Sequence, residues 1–246
     1  MEEKVLILDF TGTAGKIRCP AAGRLSFREL PGTDGYCSEE AAGVLRSALR
    51  EKGAGGIHFL DSGNYHYLSK FFLEQITIPF DLVVFDHHTD MQPPALLPLL
   101  SCGNWLLETF RENRLLGDVW LIGPPEDAPA ALEEIDRKRL HWISAEELKA
   151  GRAARRLEEG AWERPLYLSL DKDVLCRAAA RTNWDQGELQ LEELCGLLRI
   201  LGSRAEWIGV DLCGAEVPGT AEAETINSRT DERLMECIKE IMKLGR

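Results

Sequence analysis

Short apolar runs recur along this chain at residues 5–10, 56–61, 81–86, 118–123, 140–144, 166–171 and 207–212. Each is strand length, and each is apolar at consecutive positions rather than at alternate ones. A strand of that kind needs cover on both faces, which is the condition of a parallel sheet wrapped by helices. Amphipathic stretches of helical length separate the runs, at 38–52, 64–75, 103–113, 128–138, 145–157, 191–201 and 230–244. The first opens on Ser38, a fitting N-cap, followed by Glu39 and Glu40, whose charges suit a helix N-terminus. Strand then helix, repeated, predicts a three-layer, doubly wound α/β fold with a mostly parallel sheet of about seven to eight strands and helices on both faces. No Pro/Ser-rich linker or composition break divides the chain, so 1–246 is read as one domain.

Asp61, Asp86, Asp171 and Asp211 each fall at the end of an apolar run. Ligands of open parallel sheets bind beyond the carboxyl ends of the strands, so carboxylates gathered there mark a candidate site. Asp61 is read as a cap of the next helix. The segment Asp86-His87-His88-Thr89-Asp90 is the most specific. On an extended backbone Asp86, His88 and Asp90 project to one side, offering mixed oxygen and nitrogen ligands that suit Mn, Zn, Fe or Co better than Ca or Mg. Ser169-Leu170-Asp171-Lys172-Asp173 places a second carboxylate pair at another strand end. Such a pair repels itself unless a cation or a proton lies between. The formal net charge of −12 is in keeping with bound cations, and it excludes nucleic acid and anionic membrane as partners, which need basic patches. The seven cysteines are scattered without a C-x-x-C pair and are read as free thiols, not as a disulfide framework or a structural zinc site. The opening Met1-Glu2-Glu3-Lys4 has no basic leader character, and no apolar stretch reaches membrane-spanning length, so a cytoplasmic location is expected.

Asp86-His87-His88-Thr89-Asp90 resembles the D-A-H-x-D segment of the arginase and agmatinase (ureohydrolase) family, and 169–173 resembles its S-x-D-x-D segment. A looser match, Gly63-Asn64-Tyr65-His66, stands where the family places an upstream histidine ligand at a helix start. The resemblance implies a metal set of His66, Asp86, His88, Asp90, Asp171 and Asp173 around two divalent ions, most typically Mn, with Asp86 and Asp171 bridging. It implies that a hydroxide held between the metals attacks a trigonal carbon of a guanidinium or amidine and that a C–N bond breaks. Asp90 thereby joins the catalytic set. Glu216-Val217-Pro218 resembles the family's E-x-N-P, whose glutamate holds the substrate, which implies a catalytic and substrate-binding role for Glu216 and a supporting one for Asp211.

The metal signature is nearly complete, whereas the substrate signature departs from the family. Asp90 is followed by Met91-Gln92-Pro93-Pro94, putting Gln92 near the substrate position. The loop that carries the family's proton-shuttle histidine reads Ser101-Cys102-Gly103-Asn104-Trp105 here, so Asn104 and Trp105 are expected to contact substrate, Trp105 as an apolar or cation–π wall. His87 or His58 is then left as the general acid. Asn183 and Trp184, after the second aspartate pair, combine polar and aromatic groups suited to recognition. The expectation is a hydrolase of non-peptide C–N bonds acting on a small guanidino, amidine, formimino or amide substrate other than arginine. A mononuclear zinc deacetylase-like enzyme and a non-catalytic binding protein are the alternatives, and a homo-oligomer is left open.

Overall fold

The computed structural model describes residues 5–13, 17, 19–93 and 99–244; residues 1–4 and Pro94, named above, lie outside them. Every expected run forms a strand: β1 (Val5–Asp9), β4 (Gly56–Phe59), β5 (Phe80–Phe85), β7 (Leu116–Ile122), β8 (Leu140–Ile143), β9 (Leu166–Asp171) and β10 (Trp207–Cys213). An eighth, β2 (Gly23–Ser26), adds to the edge beside β1. Its sequence GRLS is largely exposed and carries no apolar run, which is why the pattern did not announce it. The eight pair in the order β2-β1-β4-β10-β9-β5-β7-β8, every neighbour parallel. A separate two-stranded antiparallel ladder joins β3 (Tyr36–Cys37) to β6 (Leu100–Ser101).

Helices α1 (Glu39–Arg50), α2 (Leu68–Leu73) and α3 (Trp105–Glu112) cover one face, where Leu45, Phe72 and Leu106 meet Leu8, Leu82 and Val84 of the sheet. Helices α4 (Ala145–Lys149), α5 (Ala153–Glu159), α6 (Leu191–Arg204) and α7 (Ala221–Leu244) cover the other, with Leu157, Leu198, Leu234 and Ile238 against Val83, Phe85, Leu168 and Val210. Residues adjacent in sequence within β5 thus enter opposite cores, as the two-residue strand period requires. Ser38 caps α1 through the Ala41 N–H, as expected.

Two helical expectations are corrected. Residues 128–138 form no α-helix, only short 3-10 turns at Leu132–Glu134 and Arg137–Arg139. Pro129 offers no N–H; its carbonyl accepts the Thr89 hydroxyl, and the Ala131 N–H goes to the Met91 carbonyl, so this backbone braces the loop after β5 instead of bonding to itself. The 145–157 stretch is broken at Ala150–Gly151 into α4 and α5.

The connection from β4 to β5 passes over the positions that β10 and β9 occupy. From β5 the chain runs outward to β7 and β8, whereas from β9 it runs the other way to β10, so the loops leaving the adjacent strands β5 and β9 part in opposite directions and open a crevice above the carboxyl ends of the central strands.

Candidate metal centre

That crevice is built from separate strand ends. After β5 the chain turns through Asp86, His87, His88 and Thr89 to Asp90, whose φ of 49° is left-handed. β9 ends in Asp171 and passes into a 3-10 turn, Lys172–Val174, that carries Asp173. His66 closes the 3-10 turn Gly63–Tyr65 beyond β4, and Cys213 is the last residue of β10.

The six expected ligand side chains meet in two groups sharing Asp86. In the first, His66 Nδ1 lies 3.1 Å from Asp86 Oδ2, 3.0 Å from Asp90 Oδ2 and 3.9 Å from Asp171 Oδ2. In the second, His88 Nδ1 lies 2.9 Å from Asp173 Oδ2 and 3.5 Å from Asp86 Oδ1. His66 with Asp86 and Asp90, and His88 with Asp86 and Asp173, each offer nitrogen and oxygen atoms spaced closely enough for one ion to be held among them, and Asp86 turns one oxygen to each. The Cys213 thiol enters a further such group with His66 and Asp171.

The surrounding chain fixes these side chains. Ser169 Oγ lies 2.8 Å from His66 Nε2 and 2.9 Å from Ser69 Oγ, leaving Nδ1 turned toward the carboxylates. The Trp105 indole N–H donates to Asp90 Oδ2 at 2.5 Å. Backbone N–H groups of His87 and Asp173 donate to Asp173 Oδ1 and Asp171 Oδ1, both at 2.9 Å. Asp171 is also crowded by backbone on two sides. A Cβ on Gly63 would stand 2.8 Å from its Oδ2, and one on Gly214, at φ 93°, only 2.4 Å from its Oδ1. Both positions need glycine for this approach.

Four carboxylates and two imidazoles at one buried spot leave an excess of negative charge. Burial and then the neighbouring charges of Asp173 and Asp86 push the Asp171 carboxyl up to about 7, and burial with Asp86 does the same for Asp173. Burial works against charging His88, yet Asp173 and Asp86 outweigh it and raise the imidazole to about 11. Burial, followed by the charge of Asp171, holds the Cys213 thiol well above its usual range, so without a cation it remains S–H, 3.1 Å from Asp171 Oδ2. His66 Nδ1 is buried without a hydrogen-bond partner. A buried imidazole nitrogen without a hydrogen bond, set among four crowded carboxyl groups of which Asp171 and Asp173 resist ionisation, is the arrangement divalent cations resolve, and these residues fit such ions.

The other predicted residues lie in different places. Trp184 stands at the mouth, its ring centroid 5.7 Å from that of His88 and its indole N–H donating to Asn64 Oδ1. Gln92 is exposed beside Gly103. Trp105 is corrected from substrate wall to support: its side chain is fully buried and clamps Asp90 from behind. Asn104 is likewise buried, with Oδ1 accepting the Ser101 N–H and Nδ2 donating to the Leu99 carbonyl. Asn183 is tied at both ends of its amide to the Val217 backbone. Glu216 lines a neighbouring cavity with Asp61, Lys172 and Asp231, and His87 lines a groove with Gly123 and Gln186; neither lining includes a residue of the six-member ligand set. His58 is no free acid either, because its Nδ1 is 2.8 Å from Asp211 Oδ1, which also accepts the Tyr167 hydroxyl. Asp61 caps no helix: it accepts the N–H groups of Phe10 and Thr11 and the Thr11 hydroxyl, holding the loop after β1. Sequence reasoning passed over Ser69 and Cys213. A signal for Cys213 existed, since it lies two residues beyond Asp211 at a strand end and therefore on the same sheet face.

The arginase family profile matches residues 37–238, a span that contains all of these ligand side chains. The chain belongs to the arginase family. A curated Thermotoga maritima protein described only as uncharacterized is 31% identical over 163 residues, 66% of this chain and 59% of that protein. Among solved structures, the proclavaminate amidino hydrolase of Streptomyces clavuligerus superimposes with a TM-score of 0.76 at 17% identity, covering 99% of this chain and 93% of that one. The Trypanosoma cruzi formiminoglutamase with Mn2+ gives a TM-score of 0.68 at 12% identity, covering 96% and 94%. These likenesses establish that the arginase-family fold extends over nearly the whole chain. No helix among the described residues is long and apolar enough to cross a membrane.

Proposed function

We propose that this arginase-family chain is a hydrolase of C–N bonds other than peptide bonds, working with a pair of divalent ions held by His66, Asp86, Asp90 and Asp171 on one side and Asp86, His88 and Asp173 on the other. The observation that carries the reading is His66 Nδ1, buried without a hydrogen bond beside a carboxylate cluster in which burial and then mutual crowding raise Asp171 and Asp173. The chemistry such ions supply is activation of water for attack on a trigonal carbon. The chain's residues do the rest. Ser169 and Trp105 hold His66 and Asp90 in orientation, and Asp86 serves both halves. Trp184 and Asn64 shape the entrance, where an aromatic face suits a flat cationic or amide group.

The substrate class is a small guanidino, amidine, formimino or amide compound other than arginine. The family's shuttle histidine is replaced by the buried Trp105, and Glu216 faces a different cavity. Amidino and formimino hydrolases among the structural neighbours support this range. Residues 1–246 act as one catalytic unit in this reading, with Mn the first metal to try and Zn, Co and Fe next. A mononuclear zinc enzyme would use one ligand group and leave the other crowded without compensation. Metal content measured after dialysis against Mn, Co or Zn should give about two ions per chain. Ammonia or urea release should then appear from one member of a guanidine, amidine, formimino and amide panel. One ion per chain would move the reading to the mononuclear enzyme; binding without turnover across the panel would leave a non-catalytic protein.

A further inference from the structure

We infer that Cys213 is a thiolate ligand of the ion on the His66 side, which makes the two metal positions chemically unequal. The inference rests on the metal-centre reading above and adds a ligand to it. Cys213 Sγ is 3.1 Å from Asp171 Oδ2, and His66 Nδ1 is 3.9 Å from that same oxygen. A single ion with bonds of about 2.0–2.3 Å to nitrogen, oxygen and sulfur can span such separations. The Cys213 side chain is buried at the end of β10, aimed into the crevice by the same strand that places Asp211 one pleat behind it. The independent observation is His66 Nδ1, which has no hydrogen-bond partner although the residue is 1% exposed, and which shares one ligand group with this thiol.

The two halves then differ in donor softness. The Asp86, His88 and Asp173 group offers only oxygen and nitrogen, whereas the His66 group offers oxygen, nitrogen and sulfur. Thiolate selects Zn or Co over Mn, which prefers carboxylate and water. The His66 side is therefore the zinc- or cobalt-selective half, and the His88 side is the half that accepts Mn. On binding, the S–H proton leaves to solvent as the sulfur–metal bond forms, with no change of oxidation state.

The test is electronic absorption of the intact protein loaded with Co2+. The wild type should show visible ligand-field bands together with a near-ultraviolet sulfur-to-cobalt charge-transfer band. Cys213→Ser should keep the visible bands and lose the charge-transfer band, and its preference for Zn over Mn should fall by at least about tenfold. Cys102→Ser should retain the charge-transfer band, which excludes the other thiol near the crevice. Asp173→Asn should lose cobalt from the His88 side and also retain that band. Visible bands without charge transfer in the wild type would overturn the thiolate assignment and leave the metal centre standing, with Cys213 a hydrogen-bond donor to Asp171 alone. A charge-transfer band that survives in Cys213→Ser would overturn it too. Absence of both sets of bands would remove the metal centre together with this inference. Should Cys213→Ser fail to fold, Cys213→Ala serves, and the wild-type and Cys102→Ser spectra still decide.

Discussion

Two sets of buried carboxylates, at the carboxyl edge of the sheet and on the helix α7 beside it, are treated oppositely by the chain. Asp61 receives two backbone N–H groups and a hydroxyl, Asp211 is held by His58 and Tyr167, and Asp231 is paired with the buried Lys172 at 2.7 Å. Each of these has donors of its own inside the protein, although Asp211 Oδ2 is left without one. Asp86, Asp90, Asp171 and Asp173 receive some donors, but their charges face one another across His66 Nδ1, which stands 3.0 Å from Asp90 and 3.1 Å from Asp86 without a well-formed hydrogen bond to either. Burying a charge is costly unless it is paired. An acidic group answered internally is thus architecture, and a group left in mutual repulsion calls for a cation from outside. Sequence alone reads Asp61 and Asp211 just as it reads Asp86 and Asp171, as aspartate at the end of an apolar run, so the difference lies in what the neighbouring elements offer.

The sharpest way to break this contrast is Asp86→Ala, which removes the carboxylate common to both ligand groups. Metal content should fall from about two ions per chain to one or none, and hydrolysis should vanish, by atomic spectroscopy and product assay. Full metal content in that variant would refute the division. Lys172→Met probes the opposite class by stranding Asp231. It should cost about 3–5 kcal/mol in denaturant unfolding, and added metal should not restore the loss. Ser169→Ala keeps every ligand but frees His66, and metal affinity should weaken about 10–100-fold by competition titration.

A pH series sharpens the comparison further. In the metal-free chain the folded state keeps protons on Asp171 and Asp173 up to about 7, against an ordinary value of 3.8. Folded protein then binds more protons than unfolded, so its stability should fall as pH rises from about 4 through about 7. His88, raised from 6.5 to about 11, extends the decline above neutrality. Metal displaces those protons, so the loaded protein should gain stability over the same window, read as melting temperature. Invariance of the metal-free protein between pH 4 and 8 would contradict the crowding argument. The smallest effect is Ser38→Ala, which removes the α1 cap far from the crevice and should cost about 1 kcal/mol whether metal is present or not.

The elements most legible in the sequence were those whose environment is simplest. Strands buried on both faces announce themselves as unbroken apolar runs, and all of those predicted formed. Edge strand β2 has no such environment and left no such signal. The side chains that gather at the crevice were readable because two aspartates and two histidines within a five-residue turn have little packing value of their own. Trp105 misled because its side chain reads as a recognition surface, whereas the fold turns it inward to grip Asp90. The tie between Asn183 and Val217 joins segments far apart in the chain, so no local pattern could reveal that the amide is already engaged.

The strand order has a consequence for how the centre comes into being. His66, Asp86, His88 and Asp90 follow β4 and β5, yet β10 and β9 lie between those two strands in the sheet. During synthesis the middle of the sheet is therefore made after its flanks. Until β9 and β10 have left the ribosome, the nascent chain has four of the six proposed ligands after strands that are not neighbours and lacks Asp171 and Asp173 altogether. On the proposed two-metal reading, ion capture would be a proofreading event: a chain that held both metals would, by that fact, have inserted its last strands in the right places.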